Sequence, residues 1–317
     1  MPKCPFPAVP GDPLCWRLRG SEPALIIDGH MHVCPKVGGK DDRLPYQARA
    51  YGKADGPQGP VQLLPPSFER TDSPPELALA HMDWVGVERA FLVQGPMYGF
   101  HNKYVAGAVN RYPDRFLGFA IVDPSQGPQA AAELTDCRER GLRGLKVEWP
   151  ATQRLAPSVN LGGEQEWIVW RKTAELGMLL YLHTLPGAGQ AEEVKRIVGE
   201  LGLTVIIAHL GNAPHEGWEA QVRLAEDERV YLSCSAVPFG TKEDFPAPKA
   251  RDLLRQAVEM VGADRILWGS DYPGTLTRFT YPQTLDWVRS YCTFLEPEQM
   301  NAILGGTAEK LSEGYWR

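Results

Sequence analysis

What this sequence lacks closes off several classes of function before any motif is read. Its six cysteines (Cys4, Cys15, Cys34, Cys137, Cys234 and Cys292) are scattered over 317 residues with no C-x-x-C pair. That spacing suits reduced thiols better than a disulfide framework or a zinc ribbon. There is no excess of positive charge: the formal net charge is −6, which argues against nucleic acid or an anionic membrane as the main partner. No run approaches the ~20 apolar residues of a membrane span. The opening "MPKCPFPAVPGDPLCWRLRG" is broken by prolines and lacks the apolar centre of a signal peptide. A soluble, cytoplasmic protein is therefore expected. Neither a P-loop nor a G-x-S-x-G elbow is found, and no G-x-G-x-x-G follows the first apolar run. Histidine is scarce, at seven.

What remains is an ordinary globular composition, 43% hydrophobic and 23% charged, in a chain long enough for one large domain. Eight short apolar runs recur: "ALIIDGHMHV" (24–33), "RAFLVQG" (89–95), "RFLGFAIVD" (115–123), "GLRGLKVEW" (141–149), "MLLYLHT" (178–184), "TVIIAHLG" (204–211), "RVYLSCSA" (229–236) and "RILWGSDYP" (265–273). They are near-continuously hydrophobic, as strands of a parallel sheet covered on both faces are. Helical segments such as "PPELALAHMDWVGV" and "APKARDLLRQAVEMVG" lie between them, opening after Pro and stopping at Gly. Eight βα units in this length predict an α/β fold, a (β/α)8 TIM barrel. A doubly wound open sheet shares the alternation, but the missing glycine fingerprint weakens its dinucleotide-binding form. The chain reads as a single domain over 1–317, with an N-terminal extension at 1–23. Residues 34–74 are rich in Gly and Pro without periodicity, a long connection after strand 1 that a barrel would place over its mouth as a lid.

Polar residues at the C-terminal ends of barrel strands converge on the mouth. Here they are His30 and His32 from strand 1, Lys146 and Glu148 from strand 4, His183 from strand 5, His209 from strand 6 and Asp271 from strand 8. Residues i and i+2 of a strand share a face, so His30 and His32 project side by side, as a metal-binding pair would. A solvated pair in a turn fits the same two residues.

The set "DGHMHV", "GLKVEW", "LHT", "AHLGN" and "LWGSDYP" resembles the amidohydrolase superfamily, in particular the amidohydrolase-related branch. That branch includes lactonases and decarboxylases of the aminocarboxymuconate-semialdehyde and resorcylate type. The resemblance spans residues 25 to about 290. It implies a divalent metal, Zn²⁺ before Mn²⁺, one per chain, held by His30, His32, His183 and Asp271. Asp271 would also receive the proton of a water that the ion acidifies toward a pKa of ~7, and His209 would act on substrate. In binuclear relatives a carboxylated strand-4 lysine bridges two metals and the histidines of strands 5 and 6 hold the second, which gives Lys146, His183 and His209 an alternative role. Arg43, Tyr46, Arg49 and Arg278 are candidates to grip a substrate carboxylate, and His215, on the loop after strand 6, is a candidate to contact substrate. The expected function is hydrolysis of a small lactone, ester or amide, one bearing a carboxylate. Decarboxylation of an aromatic or muconate-type acid is the alternative, and an inactive binding barrel the third reading. A homodimer is the family habit.

Overall fold

A computed structural model describes residues 25–38, 46–56, 59–148, 160–184 and 188–316. All eight expected strands are present: β1 (Ile27–Met31), β2 (Arg89–Leu92), β3 (Phe116–Ala120), β4 (Gly144–Glu148), β5 (Leu179–His183), β6 (Val205–Ile207), β7 (Val230–Ser233) and β8 (Ile266–Leu267). They pair in parallel and in chain order. The ring closes where β8 returns to β1. Gly29 N–H donates to the Trp268 carbonyl at 2.9 Å, Asp271 N–H to the His30 carbonyl at 2.8 Å, and His32 N–H to the Tyr272 carbonyl at 2.8 Å. The fold is the TIM barrel that the alternation predicts.

Between the strands run α1 (Pro75–Val85), α2 (Asn102–Arg111), α3 (Pro128–Glu139), α4 (Glu164–Glu175), α5 (Ala188–Leu201), α6 (Trp218–Val222) and α7 (Pro248–Val261). Proline at the first turn of α1 and α7 needs no hydrogen bond there. Each ends at a glycine with positive φ, Gly86 (79°) and Gly262 (85°). Ala250, Leu254 and Ala257 form the buried stripe of α7, at the spacing that lays one helical face on the sheet.

The core has two layers because each strand buries both faces. Ile27, Phe91, Phe119, Leu179, Tyr181, Ile206 and Leu267 fill the barrel interior, while Leu92, Leu145, Leu180, Leu182, Val205 and Leu232 pack outward against the helices. Ala308 and Leu311, with the partly buried Tyr315 and Trp316, join the interior cluster. Trp316 stacks 6.1 Å from Phe91 and lies under the Arg89 guanidinium at 4.9 Å, which plugs the floor of the barrel, opposite the mouth.

The aperiodic connection after β1 carries structure that its sequence does not announce. Gln47–Ala48, Lys53–Gly56 and Gly59–Gln62 form an antiparallel three-stranded sheet. Gly52 N–H donates to Thr71 Oγ1 at 2.9 Å, and its carbonyl accepts from Leu63 and Leu64 at 2.9 and 3.0 Å. Cys34 and Ser73 exchange backbone bonds of 2.9 and 2.8 Å that draw the ends of the excursion together.

Candidate metal centre

Strand alternation decides which side chains enter the mouth. On β4, Leu145 and Val147 face the helices, so Lys146 and Glu148 face the axis. On β5, Leu180 and Leu182 face out, so Tyr181 and His183 face in. From β1, Nε2 of His30 and Nε2 of His32 converge on Oδ1 of Asp271 at 3.3 and 3.0 Å. One donor atom from each of these three residues lies within 4.8 Å of the others. The two rings are buried, while the Asp271 side chain keeps 22% of its surface exposed.

The imidazoles are held by their other nitrogens. Nδ1 of His32 lies 3.0 Å from the Val93 carbonyl, and Nδ1 of His209 lies 2.8 Å from the Ser235 carbonyl. Nδ1 of His30 lies 2.9 Å from the Tyr181 hydroxyl. A carbonyl only accepts, so Nδ1 of His32 and of His209 carries a proton, which leaves Nε2 of each ring as the atom that can present a lone pair to an ion. For His32 that lone pair faces a carboxylate oxygen 3.0 Å away. Two acceptors this close in a buried site need a cation or a proton between them. Two imidazole nitrogens and one carboxylate oxygen form a donor set that suits a divalent ion, and the three residues fit one.

His183 stands just outside this trio. Its ring meets His209 edge-on, with centroids 4.7 Å apart, and its Nδ1 lies 3.5 Å from Glu148 Oε1. His209 in turn lies 5.0 Å from the His30 ring. The Lys146 ammonium sits 5.7 Å above the Tyr181 ring. Burial, followed by the charges of His209, His32 and Lys146, holds His30 well below the usual histidine pKa. Burial and the neighbouring His183 bring His209 down to about 4. Burial also lowers Lys146, against the pull of Glu148 and Asp271. For Glu148, burial alone would raise the pKa, but Lys146 and His183 outweigh it and bring the group to about 2.

Close packing of β1 on β8 depends on glycine. A Cβ on Gly29 would run into Leu267 Cδ1 and stand 2.8 Å from the Trp268 carbonyl oxygen; one on Gly269 would lie 2.7 Å from His30 Cβ. Beneath the seam, the fully buried Asp28 accepts from Ser270 N–H at 2.9 Å, His30 N–H at 3.1 Å and the Tyr281 hydroxyl at 2.9 Å. The backbone bends sharply at two of the site residues: His209 (φ 54°) and Asp271 (φ 55°) both occupy the left-handed region, a conformation that non-glycine residues hold only when their surroundings fix it. The expected strand 204–211 accordingly stops at Ile207, and His209 is presented by a turn.

The other candidates among the described residues stay away from this cluster. Arg49 pairs with Asp55 at 2.7 Å on the surface, and Tyr46 packs over Gly56 in the small sheet. His215 is exposed, and exposed Arg278 donates to the Lys242 carbonyl at 2.9 Å. Arg43 lies outside the described residues. Sequence reading passed over Tyr98, whose ring packs 4.6 Å from His32. Burial, then the charge of Asp271, raises its pKa well above the ordinary value. It also passed over Gln94, which donates to Asn102 Oδ1 at 2.9 Å and to the Phe119 carbonyl at 2.8 Å, bracing the loop that carries Tyr98. A period-two reading of "LLYLH" would have found Tyr181 beside His183; Tyr98 and Gln94 sit in a loop and leave no such signal.

The fold and this cluster define a TIM-barrel enzyme with a candidate divalent-metal centre at its C-terminal mouth. The family model described as Amidohydrolase matches residues 27–311, and the chain belongs to that family. It is 28% identical over 225 residues to the 4-sulfomuconolactone hydrolase of Rhizobium radiobacter, covering 68% of this chain and 72% of that one. It is 27% identical over 210 residues to the gamma-resorcylate decarboxylase of a Polaromonas species, covering 54% of this chain and 64% of that one. A crystal structure of an amidohydrolase from Burkholderia multivorans with bound zinc superposes with a TM-score of 0.67 at 16% identity, over 92% of this chain and 99% of that one. Both hydrolases and decarboxylases thus stand among the homologues.

Proposed function

We propose that this enzyme is a metal-dependent hydrolase of a small, carboxylate-bearing lactone, with esters and amides as related substrates. The carrying observation is the convergence of His30 Nε2 and His32 Nε2 on Asp271 Oδ1 in a buried, acceptor-rich site. His30, His32 and Asp271 would hold one ion, with His183 as the further ligand. Zinc is favoured over manganese by the imidazole-rich donor set. Bound there, a divalent ion supplies Lewis-acid polarisation of a carbonyl and acidifies water for attack at neutral pH.

The chain's own residues do the rest. Asp271, the most exposed of the trio, accepts the proton of the attacking water at its carboxylate. His209, neutral and held at Nδ1 by Ser235, takes or returns a proton at Nε2 beside the reacting carbonyl. Lys146 offers a buried positive charge on the same face for a substrate carboxylate. The likeness to the 4-sulfomuconolactone hydrolase supports the lactone reading.

A decarboxylase is the second reading, favoured by the likeness to the gamma-resorcylate enzyme. Elemental analysis of the purified protein, followed by product analysis on carboxylated lactones and on dihydroxybenzoates, tests both. One equivalent of metal with ring opening and acid release supports hydrolysis. Carbon dioxide release assigns the lyase, and a protein that binds no divalent metal ends the metal-centre reading.

A further inference from the structure

The ladder between β4 and β5 pairs Lys146 with Tyr181 and, as its last rung, Glu148 with His183. Both rungs face the axis. Glu148 Oε1 lies 3.5 Å from Nδ1 of His183, and among the described residues that buried nitrogen has no aligned hydrogen-bond partner. The carboxylate has room there because residue 95 is glycine: a Cβ on Gly95 would come within 2.6 Å of Glu148 Oε2. His30, His32 and His209 have Nδ1 engaged by a hydroxyl, a carbonyl and a carbonyl. His183 is the member of this group whose Nδ1 neighbour carries a charge.

We propose that Glu148 is a positioning residue: it holds the Nδ1 proton of His183, fixes that tautomer and aims the Nε2 lone pair into the centre as the fourth ligand. This rests on the metal-centre reading above. A carboxylate behind an imidazole orients the ring and makes it a better ligand, and losing such a partner typically costs 10–100-fold in metal affinity. Lys146 lies on the same face two residues earlier, so a cationic side chain accompanies the buried carboxylate. A neutral acceptor in its place would still orient the ring, which separates positioning from a general electrostatic effect.

The test uses metal-stripped full-length protein titrated with Zn²⁺ against a chromophoric chelator, together with ¹⁵N spectra of the labelled histidines. Wild type is expected to bind one Zn²⁺ and to show His183 protonated at Nδ1. Glu148→Ala should bind roughly 10–100-fold more weakly and lose that tautomer, while Glu148→Gln should stay within about threefold of wild type. Lys146→Met combined with Glu148→Ala should remain as weak as Glu148→Ala alone. The proposal is overturned if Glu148→Ala binds like wild type, if Glu148→Gln is as weak as Glu148→Ala, or if adding Lys146→Met restores affinity. Should Glu148→Ala fail to fold, Glu148→Gln decides: near-native affinity with Nδ1-protonated His183 supports positioning, and either one lost overturns it. Wild type that binds no Zn²⁺ is a separate result, which removes the metal-centre reading instead.

Discussion

Asp271 meets His30 twice. Its backbone N–H donates to the His30 carbonyl at 2.8 Å, and its Oδ1 lies 3.3 Å from His30 Nε2. The first contact helps close the barrel between its last and first strands, and the second builds the candidate centre. Fold and site share one seam, but through different atoms, and the following variants exploit that separation.

His30→Ala and His32→Ala each delete a donor atom, Asp271→Asn replaces the charged carboxylate with a neutral amide that is a far weaker metal ligand, and all three leave the backbone seam intact. Each should lose more than the roughly 10–100-fold in metal affinity that an outer-shell deletion costs, and activity with it, while far-UV circular dichroism stays native. Full metal occupancy in any of the three would show that the ion sits elsewhere.

His209→Asn separates ligand from catalyst. With one ion held by His30, His32, His183 and Asp271, metal content should remain near wild type while kcat falls by roughly 10²–10⁴, the usual contribution of a placed acid or base. Loss of one of two metal equivalents would instead indicate a binuclear site in which His209 and Lys146 participate. Unchanged metal and unchanged kcat would take His209 out of the mechanism.

The seam itself can be strained. Gly269→Ala forces a methyl group to within 2.8 Å of the His30 nitrogen, and overpacking of this kind costs about 1–3 kcal/mol. Asp28→Ala leaves the N–H groups of Ser270 and His30 and the Tyr281 hydroxyl without their buried acceptor, at roughly 3 kcal/mol. Urea unfolding should register both losses, and Asp28→Asn should lose less because its side-chain oxygen still accepts. Unfolding midpoints equal to wild type would mean that the seam tolerates far more adjustment than its contacts imply.

Replacing residues 47–62 with a short Gly-Ser link tests the small sheet beyond β1. The barrel should fold, since the Cys34–Ser73 bonds that join the ends of the excursion lie outside the replaced stretch. KM should rise, because loops at this end of a barrel position substrate and exclude water. Wild-type kinetics would leave this sheet without a part in turnover.

The barrel was legible because strands covered on both faces are written as unbroken apolar runs, and all eight carry that mark. His30, His32 and Asp271 were legible because strand ends in a barrel are forced together. Other features depend on relations that no local pattern records. The left-handed turn presenting His209 is fixed by its surroundings, and its sequence reads as a continuing strand. Glu148 stood in view at a strand end, but its pairing with His183 depends on the β4–β5 register and on a glycine fifty-three residues earlier in the chain. The small sheet after β1 was invisible because its strands are two to four residues long, too short to establish a period.

His32 and Asp271 stand 239 residues apart in the chain, and this separation fixes an order of events. During synthesis the imidazole pair emerges early, but its carboxylate is made only when most of the barrel already exists. Domains fold largely as units, so the three donor atoms are brought together only when the barrel closes, and an ion would be held by the folded chain alone. Once seated, an ion would tie the first strand to the eighth and close the longest loop in the barrel. Ligands that bind only the folded state stabilise it by mass action. Chelation should therefore increase susceptibility to proteases first at the β1–β8 junction, where the ring opens.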